Sequence, residues 1–299
     1  MSGAAALARG PVTRPAGVPK APSKLPKTLG MLATLAVLLL CIWAVDAPWS
    51  RLLDAPGEFA DYLRLMSEGV FANPTLEPQR DYWLTAGEAM LESLQMAWVG
   101  TMIGAVLSFP VAFLAARTVS PAPVVAVTRM VLNVIRAIPE LIIAIAIMMP
   151  IFGFGPLSGA LALGVGSVGT LGKLSSEAIE AVDPRPVEAV TSTGASKLQM
   201  IWWGIVPQAM PEILAFWLYR FEINIRAGAI LGALGAGGIG SILSQVFRLR
   251  DWEQVGVTLA VIIIVTVIVD QISATVRHRI IAGPKGTASE HRDPVAEMG

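Results

Sequence analysis

The sequence predicts an all-α, polytopic membrane protein with about six transmembrane helices, and three observations carry that expectation. Hydrophobic residues make up 54% of the 299 and charged residues only 15%, outside the usual balance of a soluble domain. The apolar residues gather in runs close to the roughly 20 residues that cross a hydrocarbon core. Between those runs the charges alternate, acidic on one side and arginine or lysine on the other, which orients the chain. Lysine plus arginine equals aspartate plus glutamate, 22 against 22, so net charge points to no nucleic-acid partner. The partner the composition requires is a lipid bilayer.

Residues 1–27 hold Arg9, Arg14, Lys20, Lys24 and Lys27 and no acid, a disordered basic tail that the positive-inside rule places in the cytoplasm. Residues 28–45 are an uncharged 18-residue run, the first span, with Trp43 near its end. A cleaved signal peptide fits less well, because the run exceeds the usual apolar region of roughly 7 to 15 residues and no A-x-A site follows. Cys41, the chain's one cysteine, reads as a small buried hydrophobe and excludes an intrachain disulfide. Residues 46–92 carry nine acidic residues against three arginines and form an external loop. Within it Phe59, Tyr62, Leu63, Met66 and Val70 recur at helical spacing, an amphipathic helix that either offers a partner surface or packs on its neighbours.

Residues 93–282 form a core of five further spans. Ser93 to Ala116 is the second, followed by a cytoplasmic link with Arg117 and Arg129. Met130 to Pro150 is the third, and Gly153 to Gly155 turn outside. The fourth, Pro156 to Gly172, holds Gly159, Gly164, Gly166, Gly169 and Gly172, a density that lets helices approach closely in lipid. A polar cytoplasmic hairpin occupies about 173–212. The fifth span runs from about Ile213 to Leu234 and the sixth from Val255 to Val276, with Arg277 and Arg279 on the inside. Residues 283–299 are a disordered C-terminal tail, so both termini are expected in the cytoplasm.

Two near-motifs fail on context. Gly235-Ala236-Gly237-Gly238-Ile239-Gly240 fits the dinucleotide fingerprint, yet a transmembrane helix precedes it where a strand is needed. Gly235, Gly237, Gly238 and Gly240 read instead as an outer hinge or gate, where backbone breaks or approaches closely. Around Gly172-Lys173, Ser167 and Leu174 stand where a P-loop needs glycine and a hydroxyl, so this chain is not expected to bind ATP by that means. One cysteine and two C-terminal histidines make no Cys/His metal cluster, and no metal site or cofactor is expected on the chain. No nucleophile and base stand together; Lys173, Ser175 and Ser176 read as a snorkelling lysine and solvated hydroxyls, so no enzyme is expected.

The informative charges lie inside the spans, where they cost several kcal/mol and face a bundle interior or a path. Arg136 and Glu140 are one turn apart in the third span, and Arg220, Glu222, Asn224 and Arg226 occupy the fifth. At roughly 1.5 Å per residue, Glu140 and Arg226 fall near the midplane and Arg136 and Arg220 in the inner half. Two readings stand: the i,i+4 pairs Arg136 with Glu140 and Glu222 with Arg226 neutralise one another, or these six residues line a path for an anion. Pro139 loosens the third span beside its charged pair. Asp270 is expected to be anchored by Arg277 or by a neighbouring helix.

Glu188 to Pro207, EAVTSTGASKLQMIWWGIVP, reads as a helix-loop-helix hairpin just outside the bilayer, with Gly194 in the bend. Ala189, Gly194, Ala195 and Ser196 give it a small surface that another protein can approach closely, a docking shape. It resembles the EAA signature of binding-protein-dependent ABC importer permeases: Glu188-Ala189, then Gly194, then Val206-Pro207. Val190 stands in place of that signature's second alanine and Gly204 in place of a bulky apolar residue. A longer set, Arg136-Ala-Ile-Pro-Glu140, Ser175 to Val182 with Pro186 to Ala189, Val206-Pro-Gln208, Leu218 to Glu222 with Asn224 and Arg226, and Gly235 to Gly240, resembles the phosphonate importer permease over roughly residues 85–280. The resemblance implies a type I importer, MetI-like fold in a bacterial inner membrane. It implies a hairpin in which Glu188, Ala189, Gly194, Ala195 and Pro207 couple to a dimer of ABC ATPase subunits holding ATP and Mg. It further implies an external solute-binding protein, a second copy of the chain, and import of phosphonate or a related oxyanion such as phosphite or phosphate. Buried arginines suit that cargo, since guanidinium offers paired N–H donors to phosphate-like oxygens. A stand-alone secondary anion transporter or channel is the alternative, separable by whether an ATPase co-purifies.

Overall fold

Among the described residues every regular element is a helix, ten in all. The structure is a computed structural model describing residues 25–45, 47–49 and 51–282. The helices are α1 (Leu25–Ala44), α2 (Arg51–Phe71), α3 (Gln79–Ala115), α4 (Ala122–Ala137) and α5 (Glu140–Phe152). They continue as α6 (Pro156–Glu180), α7 (Pro184–Ser192), α8 (Lys197–Ala236), α9 (Gly238–Leu249) and α10 (Trp252–Ala282). Helices α1, α3, α6 and α10 are each long and apolar enough to cross a membrane, and the bent pairs α4–α5 and α8–α9 raise the count to as many as six. The tail expected at 283–299 and most of that at 1–27 lie outside the described residues; Leu25 to Lys27 form the first turn of α1.

The chain divides into two units, Met1–Glu58 and Phe59–Gly299, with the boundary inside α2. In the first unit α1 buries none of its residues, and Cys41 is exposed where the sequence suggested burial. The reason is that an apolar membrane helix needs lipid around it, not protein.

In the second unit α3 packs along α6, where glycines bring the two backbones close. A Cβ added to Gly100 would come within 2.8 Å of the Ala160 carbonyl and the Leu163 side chain, and one on Gly164 within 2.9 Å of Ile103. The same glycine-rich helix receives α4 and α5: Leu132 lies over Gly172, Arg136 over Gly169 and Glu140 over Gly166. Without a hydrophobic drive between helices in lipid, this backbone proximity supplies the packing attraction. The second half of α2 packs on the start of α10. Gly69 meets the Glu253 backbone, Gly256 meets that of Met66, and the Tyr62 and Trp252 rings lie 4.6 Å apart. The amphipathic helix is therefore packed on a neighbour.

Helix ends and apolar boundaries differ. Helix α3 starts at Gln79, inside the expected external loop, α6 runs on to Glu180, and α8 begins at Lys197. The non-helical part of the hairpin is thus confined to the turns on either side of α7. Hydropathy marks where side chains meet lipid, whereas backbone hydrogen bonding continues until a breaker such as Asp183-Pro184. The third span is interrupted instead. Pro139 does more than loosen it: with no N–H to give, it holds Ile138 extended (φ −92°, ψ 117°), and α4 and α5 meet at 84°.

Candidate functional site

The hairpin is built almost entirely from local hydrogen bonds. Asp183 caps α7, accepting from the Arg185 N–H at 3.0 Å, and the adjoining Arg185 guanidinium holds its carboxyl below the usual range. Gly194 ends the turn with φ +81°, and a Cβ there would meet nothing within 4 Å, so the backbone angle rather than crowding demands glycine. Ser196 and Gln199 then form a reciprocal cap at the start of α8, with Gln199 Oε1 accepting from the Ser196 N–H at 2.8 Å. Gln208 ties the two ends together. Its Oε1 accepts from the Asp183 N–H at 3.2 Å and its Nε2 donates to the Gly204 carbonyl at 2.6 Å. A Cβ on Gly204 would lie 3.3 Å from Val187 Cα, which explains why glycine stands there: α7 packs closely on α8.

The outer surface of the hairpin is left open. Glu188, Ala189, Gly194 and Pro207 are exposed and Ala195 is half-buried. A concavity of about 670 Å³ is lined by Ala189, Val190, Thr193, Gly194, Ala195, Gln199 and Trp203. No charged group lines it, and Trp203 is 69% exposed, so a small polar-to-apolar surface with an aromatic rim is presented outward.

Inside the spans the charges pair across helices, and neither expected i,i+4 pair forms. The break at Pro139 puts Arg136 and Glu140 on different helices, and Glu140 binds Arg220 of α8. Glu222 faces α10 and binds Arg277 at 2.7 Å, while Arg226 binds Asp270 at 2.6 Å. Asp270 is thus anchored by a neighbouring helix. Arg220 is 7% exposed, and its Nε donates to Ser167 Oγ at 2.9 Å. Asn224, fully buried, donates to Ser167 Oγ at 3.1 Å and Thr101 Oγ1 at 2.9 Å, leaving its Oδ1 without a partner. A polar thread therefore runs from α5 through α8 and α6 to α3. Ser167 and Thr101 escaped the sequence reading; hydroxyls amid small residues were the available signal.

Arg136 is different. It carries no ion pair among the described residues, its stem lies over Gly169, and it is exposed beside the break. With Ile138, Pro139, Glu140, Leu141, Ala227, Ile230 and Leu231 it lines a cavity of about 320 Å³.

The four glycines around the α8–α9 junction accompany a 60° break. Gly235, Gly237 and Gly238 have φ of +110°, +84° and +66°, and a Cβ on Gly240 would collide with the Ala229 carbonyl. Helix α8 precedes them, which removes the dinucleotide context. The first amides of α9 are held from α3: Gly238 N–H donates to Glu92 at 3.0 Å and Ile239 N–H to Ser93 Oγ at 2.9 Å. Glu92 and Ser93 were also missed, although a carboxylate beside a serine at the edge of a span is a capping signal.

Residues 108–280 match the family described as binding-protein-dependent transport system inner membrane component. The phosphite transport system permease protein PtxC of Stutzerimonas stutzeri is 38% identical over 253 residues, 84% of this chain and 89% of that protein. The phosphate-import permease protein PhnE of Mycolicibacterium smegmatis is 37% identical over 194 residues, 64% of this chain but 36% of that longer protein. A solved structure of the inward-facing MetNI methionine ABC transporter superposes with a TM-score of 0.61 at 19% identity, covering 69% of this chain and 99% of that one, a likeness of fold. The matched region exceeds half of the chain, and the chain belongs to the binding-protein-dependent transport system inner membrane components, as a multi-pass ABC importer permease of the bacterial inner membrane.

Proposed function

We propose that the chain works as a homodimer in an importer of phosphonate or a related phosphorus oxyanion, phosphite or phosphate, with both termini in the cytoplasm. Two ATPase subunits, which hold ATP and Mg, engage the two hairpins, and an external solute-binding protein delivers the cargo. The observation that carries the reading is the 38% identity to a phosphite permease across most of both chains. The hairpin supports it physically. Ala189, Gly194 and Ala195 line an uncharged concavity, with Glu188 and Pro207 exposed on the same hairpin, and helix α8 runs from Lys197 to Leu234 before the non-helical Gly235. Movement of the hairpin is thereby carried along one rod to the glycine break at Gly235 to Gly240, the proposed outer hinge. Of the six polar residues proposed for the path, Arg220, Arg226, Glu140 and Glu222 neutralise charge between helices, Asn224 bridges them, and Arg136 is left to meet an anion.

The experiment is co-purification with the cognate ATPase and binding protein. Gly194→Asp puts a side chain at a positive φ and a charge on the docking face. It should weaken ATPase association at least about 30-fold, the scale of an interface hot spot, and abolish substrate-stimulated hydrolysis. A variant that keeps both would refute docking at this hairpin. Uptake of labelled phosphonate and phosphite by cells carrying the whole system tests the cargo, and failure with both sinks the substrate class.

A further inference from the structure

We propose that the cavity at the α4–α5 break is an amphipathic oxyanion site. Arg136 holds the charged oxygens of a phosphorus oxyanion, and Ala227, Ile230 and Leu231 of α8 receive the one substituent on phosphorus that is not a charged oxygen. The ligand class rests on the importer reading above; the division of labour within the cavity rests on its lining.

The first argument is charge. Three ionisable groups lie at the break: Arg136, Glu140 and Arg220. Glu140 is bound by Arg220, whose Nε is in turn satisfied by Ser167, so those two cancel and both are occupied. Arg136 remains as the uncompensated cation lining the cavity, with paired N–H donors suited to two oxygens of one tetrahedral anion. Gly169 is what admits it: a Cβ there would come within 2.8 Å of Arg136 Cγ.

The second argument is the apolar part of the lining. Ile138, Leu141, Ala227, Ile230 and Leu231 offer no polar side-chain atom. A P–C or P–H substituent directed there loses no hydrogen bond, because it makes none in water. The fourth oxygen of phosphate directed there would give up its water without a replacement, which disfavours it.

The test is binding without the solute-binding protein, which would impose its own selectivity. The permease with its ATPase in lipid nanodiscs is titrated with methylphosphonate and with inorganic phosphate, and broadening of the ³¹P signals is read. The wild-type complex should respond to methylphosphonate at about tenfold lower concentration than to phosphate. Arg136→Gln should abolish both responses, and Arg136→Lys, which keeps the charge but not the fork and so guards against misfolding, should retain a weakened one. Ile230→Asn, at a partly exposed wall position, should bring phosphate up to methylphosphonate. Equal responses in the wild type, or a full response from Arg136→Gln, overturn the proposal. The importer reading is scored separately on the same wild-type sample, by whether the ATPase remains bound. A complex that keeps its ATPase but shows no selectivity loses this site and retains the importer reading; a chain that recruits no ATPase loses the importer reading, and Arg136-dependent binding is still read.

Discussion

The same chemistry, a carboxylate against a guanidinium, occurs at two extremes in this molecule. Arg220 and Glu140 meet between α8 and α5 with the arginine almost wholly enclosed, whereas Asp183 and Arg185 meet on the hairpin with the arginine 86% exposed. The first pair joins helices far apart in sequence and leads into a polar thread; the second closes a local turn. Between them lie Glu222 with Arg277, largely buried, and Arg226 with Asp270, partly exposed. If enclosure decides what an ion pair contributes, the four should rank in that order, since water both solvates free charges and weakens their attraction.

The largest effect is expected at the enclosed end. Arg220→Gln leaves Glu140 charged without its partner and should destabilise the protein by about 3–5 kcal/mol. Adding Glu140→Gln should recover most of that loss, because the cost is the stranded charge more than the missing attraction. Thermal unfolding in detergent, followed by the fraction that remains monodisperse, compares the two. A double variant no better than the single one would mean that the thread through Ser167 and Asn224, not the ion pair, carries the stability. One step down, Glu222→Gln removes a charged hydrogen bond to Arg277 and should cost about 2 kcal/mol. Below it, Asp270→Asn is expected at about 0–1 kcal/mol. If Asp270→Asn proved as damaging as Arg220→Gln, enclosure within the single chain would not be the controlling variable.

This ranking also explains what the sequence could and could not convey. The spans were legible because hydropathy is a sum over neighbours, and the bend at Gly194 because a glycine amid small polar residues is a local signal. The break at Pro139 was half legible. Proline removes a backbone donor wherever it sits, but the angle of 84° depends on α6 offering Gly166 and Gly169 as a floor for the two half-helices. The pairings were not legible, since Arg220 with Glu140 and Arg226 with Asp270 are long-range choices made by packing. Spacing of four residues suggested partners that the break and the facing helices then reassigned. The hydroxyls of Thr101 and Ser167 were invisible for the same reason, their importance arising only when Asn224 is brought between them.

The smallest effect is expected on the hairpin, and its sign distinguishes a cap from a charge. Arg185 lowers the Asp183 carboxyl, through the side-chain hydrogen bond first and the backbone N–H second. A group depressed in the folded state stabilises above its unfolded pKa and loses that stabilisation as pH falls through the folded value. The first turn of α7 should therefore hold at neutral pH and fray only below the ordinary aspartate range. A spin label on Pro186, in the first turn of α7, should gain mobility as pH falls from about 4 to about 2 in the wild type. Asp183→Asn keeps an acceptor for the Arg185 N–H but cannot titrate, so its mobility should be near wild type at neutral pH and flat on acidification. Asp183→Ala loses the acceptor and should be mobile throughout. A flat wild-type profile would mean that the exposed pair does no more than the cap alone. The ranking would then reach zero at its watery end, while the enclosed pair of Arg220 and Glu140, made of the same groups, still governed whether the helices hold together.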